Sequence, residues 1–576
     1  MVNHSLVALC LFSGLGLIVG LNKWRRAPGF FLIFSYSLAC AVTLGSIFQN
    51  LYPSYVLLLT LVIFLGMAAG LKTNGLALTC CNGWSLFLLS LLYLSFVSFQ
   101  VLEGFLEGQD GRAMYLPMSR LLSQEPNLPP EWYYEALPNF SICTGYPPAL
   151  IGITSLLFNL SGSTAEELAA FVPAVFFIGF LTVLLQWCKE EEVSIAIPAG
   201  LVLLSPFFIE KLSWFGYESP LVFSTTLLAY ALWKFSKNNN DQYLFYAMLG
   251  SALALMSKYT GFCFTLLLMF YILRWKGVDK KVWGTFFLIH LVPALWYLRN
   301  VYYFGSPVPP FLNFLTLDPQ FRTGWEGHWL LGHEEAHVAD HKRLINLALN
   351  SISIPLLLLW AAIFPFTAIK KEVVYKGVHT LFCVFLFFWL TYNPDMRYIM
   401  PFYGVALVHL SGWTQGILKR KVPAILALSP LNWGIIIFTL FLSNLCGQYV
   451  YTRHIHPDRI TPSLRAMRFL VEEERAGTGT RVFTDTDHIL AWRAGWVVFD
   501  PATPKLAPDF LKARGQKDFY GLMSRYSIQY IINHPWNSPW EEDVFTALER
   551  DSQHFKEVYK DTTGVRVWRV MTDSKL

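Results

Sequence analysis

Six short stretches of this chain carry residue types that can do chemistry. The first is DGRAMYLP, beginning at Asp110, inside a polar interruption that spans residues 103–148. That interruption also holds Glu103, Glu107, Arg112, Arg120, Glu131 and Glu135, while long apolar runs lie on both sides of it. A loop carboxylate such as Asp110 is suited to take a proton from an attacking hydroxyl; as a plain loop residue it would solvate the chain or cap a helix. The second is GYPPALIG, Gly145–Gly152, in which two prolines open a helix beside the loop and Tyr146 is placed to line a site. The third is MSKYTG, Met256–Gly261, where Lys258 interrupts two apolar half-spans. An ionisable group at membrane depth is a functional candidate, with phosphate as its natural partner and snorkelling to the interface as the alternative.

The fourth stretch is WYLRNVYYFGSPVPPF, Trp296–Phe311, in which Arg299 closes a span and Gly-Ser-Pro makes the exit turn. The fifth is NPDMRYIMPF, Asn393–Phe402, with Arg397 between two apolar runs. Arginine holds phosphate through a planar, bidentate fork; an Asp395–Arg397 surface pair is the competing reading. The sixth is His333-Glu334-Glu335-Ala336-His337, a match to HExxH, with His341 extending the same helical face. Such a pair can bind zinc with Glu as base. No third ligand follows at a metzincin spacing, so an adventitious metal site or a solvated face fits equally well.

These stretches are set in an apolar frame. The 576 residues are 54% hydrophobic and 14% charged, well under the roughly 25% charged typical of soluble domains. Aromatics make up 16%, including 20 Trp, which suits interfacial belts and apolar cavities. The formal charge of +5 comes with no basic stripe or nucleic-acid motif, so a nucleic-acid partner is not expected. The nine Cys are scattered and form no CxxC, which excludes a disulfide framework and a thiolate zinc site as organising features. The first apolar run, 5–21, precedes the basic cluster Lys23–Arg26, the reverse of a cleavable signal.

Segments long enough to cross a bilayer fall at 5–21, 29–48, 54–71, 84–102, 168–187, 194–210, 219–235, 243–257, 260–273, 282–302, 347–369, 376–392, 397–417 and 426–448. The expectation is an all-α polytopic membrane domain of about 14 spans. The segment 147–160 is too short to span and reads as an interfacial or re-entrant helix. Basic clusters at Lys23–Arg26, Lys72, Lys234 with Lys237, Arg274–Lys281, Lys370–Lys376 and Lys419–Lys421 then share one side, with Cys188–Glu192 as the exception. The positive-inside rule makes that side cytoplasmic. Both termini, the outer loops 103–148 and 303–346 and the turn at Asn393–Arg397 would face the other way.

From about residue 451 the composition becomes ordinary. Strand-like runs at 481–485, 496–500, 529–533, 556–561 and 565–570 alternate with helical patterns at 462–476, 508–514, 518–526 and 540–551. That alternation predicts a C-terminal soluble α/β domain over 451–576, at least partly parallel.

Taken in order, a loop Asp, a YPP, a KYTG break, an RN…GSP exit and a late RYxxP resemble the membrane glycosyltransferases of the GT-C superfamily. That group includes protein O-mannosyltransferases and aminoarabinose–lipid A transferases. Many bacterial members carry D-x-x-x-Y-H-L-P; here DGRAMYLP has Met114 where Tyr is usual and Tyr115 where His is usual. The resemblance covers roughly residues 84–420. It implies a GT-C-like catalytic domain over 84–450, with residues 1–83 as additional N-terminal spans. It further implies a polyprenyl-phosphate sugar donor, a glycan, lipid or protein acceptor, and a site on the non-cytoplasmic face of a bacterial inner membrane. Asp110 would be the catalytic carboxylate. Lys258, Arg397 and more weakly Arg299 would hold phosphate, and Glu107, Arg112 and Tyr146 would line the site. The resemblance requires no cofactor and admits a divalent cation. A lipid or glycan transporter, and more remotely a zinc protease built on His333, His337 and His341, are the rival classes. A transporter predicts midplane polar residues and an inverted repeat; the protease predicts bound zinc.

Overall fold

The computed structural model describes residues 27–48, 50–70, 83–102, 115–124, 146–163, 166–304, 306–308, 353–367, 373–391, 396–421, 430–450, 460–477, 479–484, 497–499, 519–533, 548–560 and 564–571. The apolar runs of the sequence become helices α1 (Ala27–Ile47), α2 (Pro53–Gly70), α3 (Gly83–Leu102), α6 (Glu166–Glu190), α9 (Glu218–Asn238), α10 (Asp241–Ser257), α11 (Gly261–Lys276), α12 (Lys280–Phe304), α13 (Ser353–Thr367), α14 (Val373–Thr391), α15 (Tyr403–Lys421) and α16 (Pro430–Val450). Short helices α4 (Leu116–Gln124) and α5 (Ala149–Ser161) pack on each other, and α7 (Ala196–Leu203) and α8 (Pro206–Ser213) complete the bundle. The expected span 5–21 lies outside the described residues.

The expectation of one span over 194–210 is corrected. The chain breaks at Leu204-Ser205, and α8 restarts with Pro206 at its first turn. Proline lacks the N–H that would continue a helix and clashes with the turn before it. Tyr403 donates its hydroxyl hydrogen bond to Ser205 across this break, and its ring stacks on Phe208.

Two features of the bundle suit a bilayer. Its outward faces are apolar: Leu58, Leu61, Val62 and Leu65 on α2, Phe287, Leu288 and Leu291 on α12, and Phe262, Leu266, Phe270 and Leu273 on α11 are all exposed. Residues three and four apart share a helix face, so these are continuous apolar stripes rather than scattered side chains. Leu168–Glu190 and Lys280–Tyr302 are long and apolar enough to cross a membrane by length and composition. Inside, α9 packs against α6 and α10, and α10 against α11 and α12. The segment expected to be an interfacial or re-entrant helix forms α5, starting after Pro147-Pro148 with most of its residues buried. The N-terminal helices are part of this packing. α1 touches α5, α10 and α12, and the Tyr36 hydroxyl donates to the Ile289 carbonyl at 2.6 Å.

The described C-terminal residues form helices and a five-stranded sheet. Helix α17 (Ile460–Glu472) is followed by β1 (Arg481–Thr484), β2 (Val497–Phe499), α18 (Phe519–Arg525), β3 (Tyr530–Asn533), β4 (Phe555–Lys560) and β5 (Arg566–Val570). The sheet order is β2-β1-β3-β5-β4, parallel for β2, β1 and β3 and antiparallel at β5 and β4. Successive strand residues point to opposite faces. Val482, Ile532 and Val567 bury with α17 residues Ala466, Met467 and Leu470, whereas Phe483, Ile531 and Trp568 bury with α18 residues Phe519, Leu522 and Met523. Both faces of the sheet are therefore covered by helix. The expected helix at 508–514 lies outside the described residues.

The turn between α10 and α11 is tight. A Cβ at Gly261 would overlap the backbone of Ala254 and Leu255, so only glycine lets α11 start there. Gly261→Ala is expected to destabilise the protein by about 1–3 kcal/mol, read as a lowered thermal midpoint in detergent. Gly284→Ala, at a site with nothing within 4 Å, is expected to leave the midpoint unchanged or raise it slightly.

Candidate active site

Lys258 follows the last turn of α10 in extended backbone (φ −153°, ψ 152°). That conformation swings its side chain across to α9, where Glu218 occupies the first turn. Lys258 Nζ donates to Glu218 Oε1 at 3.0 Å, with the two side chains only 15% and 7% exposed. A Cβ on Gly216 would occupy the space taken by Glu218 Oε2, so the glycine makes the carboxylate's seat. The ammonium also lies 5.6 Å from the ring centroid of Tyr398, within cation–π range. Arg397, half-buried, is the neighbour of Tyr398 in the 3-10 turn Met396–Tyr398. The chain just beyond is fastened to α9 by the Thr225 hydroxyl donating to the Pro401 carbonyl at 2.9 Å, and to α11 by Phe402 against Phe264. The lysine break and the arginine turn, about 140 residues apart in sequence, thus meet.

A group of tyrosines backs this charged centre. Tyr146 stacks on Tyr259 at 4.9 Å and on Tyr217 at 5.9 Å. Tyr115 meets Tyr217 edge-on at 4.7 Å and Tyr146 at 6.3 Å. Tyr259 in turn meets Tyr297 at 6.2 Å. Each comes from a different segment: the DGRAMYLP stretch, the YPP turn, the turn before α9, the KYTG break and the end of α12. The Tyr297 hydroxyl donates to the Leu255 carbonyl at 3.0 Å, which ties α12 to the end of α10. Two residues on, the Arg299 guanidinium lies 4.4 Å over the Trp296 ring and donates to Asn300 Oδ1 at 3.0 Å. Asn300 donates to the Pro307 carbonyl at 3.2 Å, fixing the exit turn. Arg299 is near enough to Tyr259 to interact with it electrostatically.

Of the residues singled out from sequence, the structure brings Lys258, Arg397, Arg299 and Tyr146 to one end of the bundle. Asp110, Glu107 and Arg112 lie outside the described residues, as do His333, His337 and His341. Tyr115, the residue in the usual histidine position, is buried in the tyrosine group. Sequence reasoning missed Glu218, Tyr217, Tyr259 and Tyr398. The signal for Glu218 was available, since it is an acid at the edge of an apolar run. Among the described residues no cluster of three His, Cys, Asp or Glu could hold a metal ion.

The opposite end of the bundle carries a second ionic network. Glu190 accepts from Lys234 at 2.6 Å, Gln186 at 2.6 Å and Tyr230 at 3.1 Å. Gln415 joins it structurally, accepting from the Ser194 amide and donating to the Glu192 carbonyl. On α9, Glu218 sits in the first turn and Lys234 and Lys237 near the last. At 1.5 Å per residue the two ends are roughly 25–30 Å apart, about a hydrocarbon thickness.

The chemistry this arrangement can support is anion binding beside an aromatic wall. Lys258 and Arg397 supply positive charge, Glu218 supplies a balancing carboxylate, and the tyrosines supply flat faces and hydroxyls. Comparison with solved structures sets this site in a known fold. ArnT from Cupriavidus metallidurans, an aminoarabinose transferase of the GT-C type, superposes in its apo state with a TM-score of 0.51 at 15% identity, over 84% of this chain and 97% of that one. The same protein bound to undecaprenyl phosphate gives 0.52 over 84% and 98%. An oligosaccharyltransferase from Archaeoglobus fulgidus gives 0.47 at 15% identity, over 84% and 73%. No protein-family model and no curated protein sequence matches the chain. The chain therefore has the helical fold of ArnT. The fold is shared with ArnT along almost the whole of ArnT's length.

Removing one partner of a buried pair strands the other as an uncompensated charge, at a cost of about 3–5 kcal/mol. Lys258→Met is accordingly expected to lower the thermal midpoint in detergent sharply. The double variant Lys258→Met with Glu218→Gln is expected to recover most of that loss.

Proposed function

We propose that the protein is a membrane glycosyltransferase that moves a sugar from a polyprenyl-phosphate donor to an acceptor hydroxyl on the non-cytoplasmic face. The observation that carries this reading is the meeting of Lys258, the Arg397 turn and the tyrosine group at one end of a GT-C fold. The solved ArnT structure that holds undecaprenyl phosphate supports the donor class. The count of Lys and Arg along the chain favours a non-cytoplasmic site, since the basic clusters gather at the other end. The bacterial inner membrane is the setting the sequence pattern favours. Residues 84–450 form the catalytic domain in this reading, and the sheet of 451–576 is a non-cytoplasmic appendage. Acceptors within reach of such chemistry are glycans, lipids or protein hydroxyls of the cell envelope.

The reaction is a direct displacement. Asp110 takes the acceptor's hydroxyl proton as the oxygen attacks the anomeric carbon. The bond from that carbon to the phosphate oxygen breaks, and its electron pair leaves with the polyprenyl phosphate. Lys258 and Arg397 neutralise the charge growing on the phosphate, with Arg299 as a further cation. Such preorganised electrostatic stabilisation is commonly the largest catalytic term. Tyr146 and its neighbours give the sugar ring a flat apolar wall, and Glu107 and Arg112 line the loop side. No step needs a metal.

Purified protein supplied with polyprenyl-phosphate sugars is expected to release polyprenyl phosphate and form a glycosylated acceptor. Asp110→Asn is expected to cut the rate by about 10²–10⁴-fold without unfolding the protein, whereas His333→Ala keeps transfer. Full activity in Asp110→Asn would remove Asp110 as the base. Loss of activity only in His333→Ala, together with bound zinc, would favour the protease instead. Movement of intact lipid-linked glycan across vesicles without a new glycosidic bond would favour a transporter.

A further inference from the structure

The proposed reaction changes the charge that the site must hold. A sugar donor of this class is a phosphodiester with one negative charge. The departing polyprenyl phosphate is a monoester whose second pKa is about 6, so it carries roughly −1.5 to −2 at pH 7. A site furnished with cations alone would grip the product harder than the donor and would empty slowly. This site is not furnished with cations alone, because Glu218 shares the ammonium of Lys258.

We propose that Glu218 is a specificity-determining residue that favours the phosphodiester donor over the phosphate monoester and so drives product release. The inference rests on the polyprenyl-phosphate reading above. Glu218 Oε1 is 3.0 Å from Lys258 Nζ, so a phosphate oxygen on the same ammonium lies within about 6 Å of the carboxylate, two hydrogen-bond lengths away. The carboxylate is almost fully buried, so solvent screens it weakly. Coulomb repulsion scales with the ligand's charge, so a dianion feels about twice the repulsion a monoanion feels. This difference holds whatever other charges surround the site, because it depends only on Glu218 and the ligand. Stability alone does not call for an acid here, since buried ion pairs are often replaceable by apolar residues without loss. Gly216 nevertheless keeps a seat open for the second carboxylate oxygen.

The test measures binding of two probes to the full-length protein in nanodiscs: polyprenyl phosphate, and its methyl phosphodiester, which has one charge and no sugar to transfer. Glu218→Gln is expected to tighten both, the monoester by about the square of the factor seen for the diester. Product inhibition by added polyprenyl phosphate should strengthen in parallel. Glu218→Asp, which keeps the charge, should retain a ratio close to wild type. If Glu218→Gln does not fold, Gly216→Ala displaces the carboxylate while leaving the residue in place, and should shift the ratio in the same direction by less. Equal weakening of both ligands, or an unchanged ratio, would show that Glu218 only steadies Lys258 and would overturn the inference while leaving the transferase reading standing. Wild-type protein that binds neither probe and transfers no sugar would overturn the underlying reading, and this one with it.

Discussion

The Glu218–Lys258 pair is the constraint on which the rest of the site depends. Two opposite charges sit nearly out of solvent at 3.0 Å, where neither is tolerable alone. The pair forces the turn before α9 and the turn after α10 to the same depth. That depth sets which residues can surround it. Gly216 and Gly261 are there because a Cβ at either would displace the carboxylate or the backbone of the α10 end. Tyr217 and Tyr259, the immediate neighbours of the two charges, are then placed for Tyr146 to stack on both. Tyr398 closes over the ammonium and carries Arg397 with it.

The helices beneath explain why this end can hold chemistry while the other end does not need to. The Glu190 carboxylate accepts from Lys234, Gln186 and Tyr230, so its oxygens are committed to binding α6 to α9. Between the two ends the described interior is mostly apolar, with small polar links such as Ser251 to Thr265 at 2.8 Å and to His290 at 3.1 Å. Apolar stripes run along α2, α11 and α12, and in the proposed function the aromatic and charged end is where a membrane-dissolved phosphate would meet Lys258 and Arg397. Helix α5, buried behind the YPP turn, carries Tyr146 into that end from the side of the N-terminal helices.

Much of this was legible in the chain because punctuation of an apolar run is easy to see. Lys258, Arg299, Arg397 and Tyr146 each interrupt or border such a run, and all four lie toward one end of the bundle. The strands were legible for a different reason: β-branched and aromatic residues alternate with turn signals, and the sheet follows them nearly residue for residue. Glu218 was harder to see, since an acid before an apolar helix reads first as a helix-start residue. The meeting of the tyrosines was not legible, because they lie in segments whose approach depends on helix packing rather than on local pattern. Tyr115 stood out in sequence only as a departure from DxxxYHLP; in the fold it is a packing partner of Tyr217. The break at Ser205-Pro206 had a visible cause in the proline, but the apolar residues on both sides of it masked it.

The most direct test of the account is an experimental structure of the protein in lipid with polyprenyl phosphate bound. The account predicts the phosphate within hydrogen-bond distance, about 3 Å, of Lys258 Nζ and the Arg397 guanidinium. It also predicts Asp110 facing the space beside the tyrosines, and the lipid chain leaving between helices. A phosphate held elsewhere, with Lys258 engaged only by Glu218 and Asp110 turned away from the tyrosine wall, would contradict it.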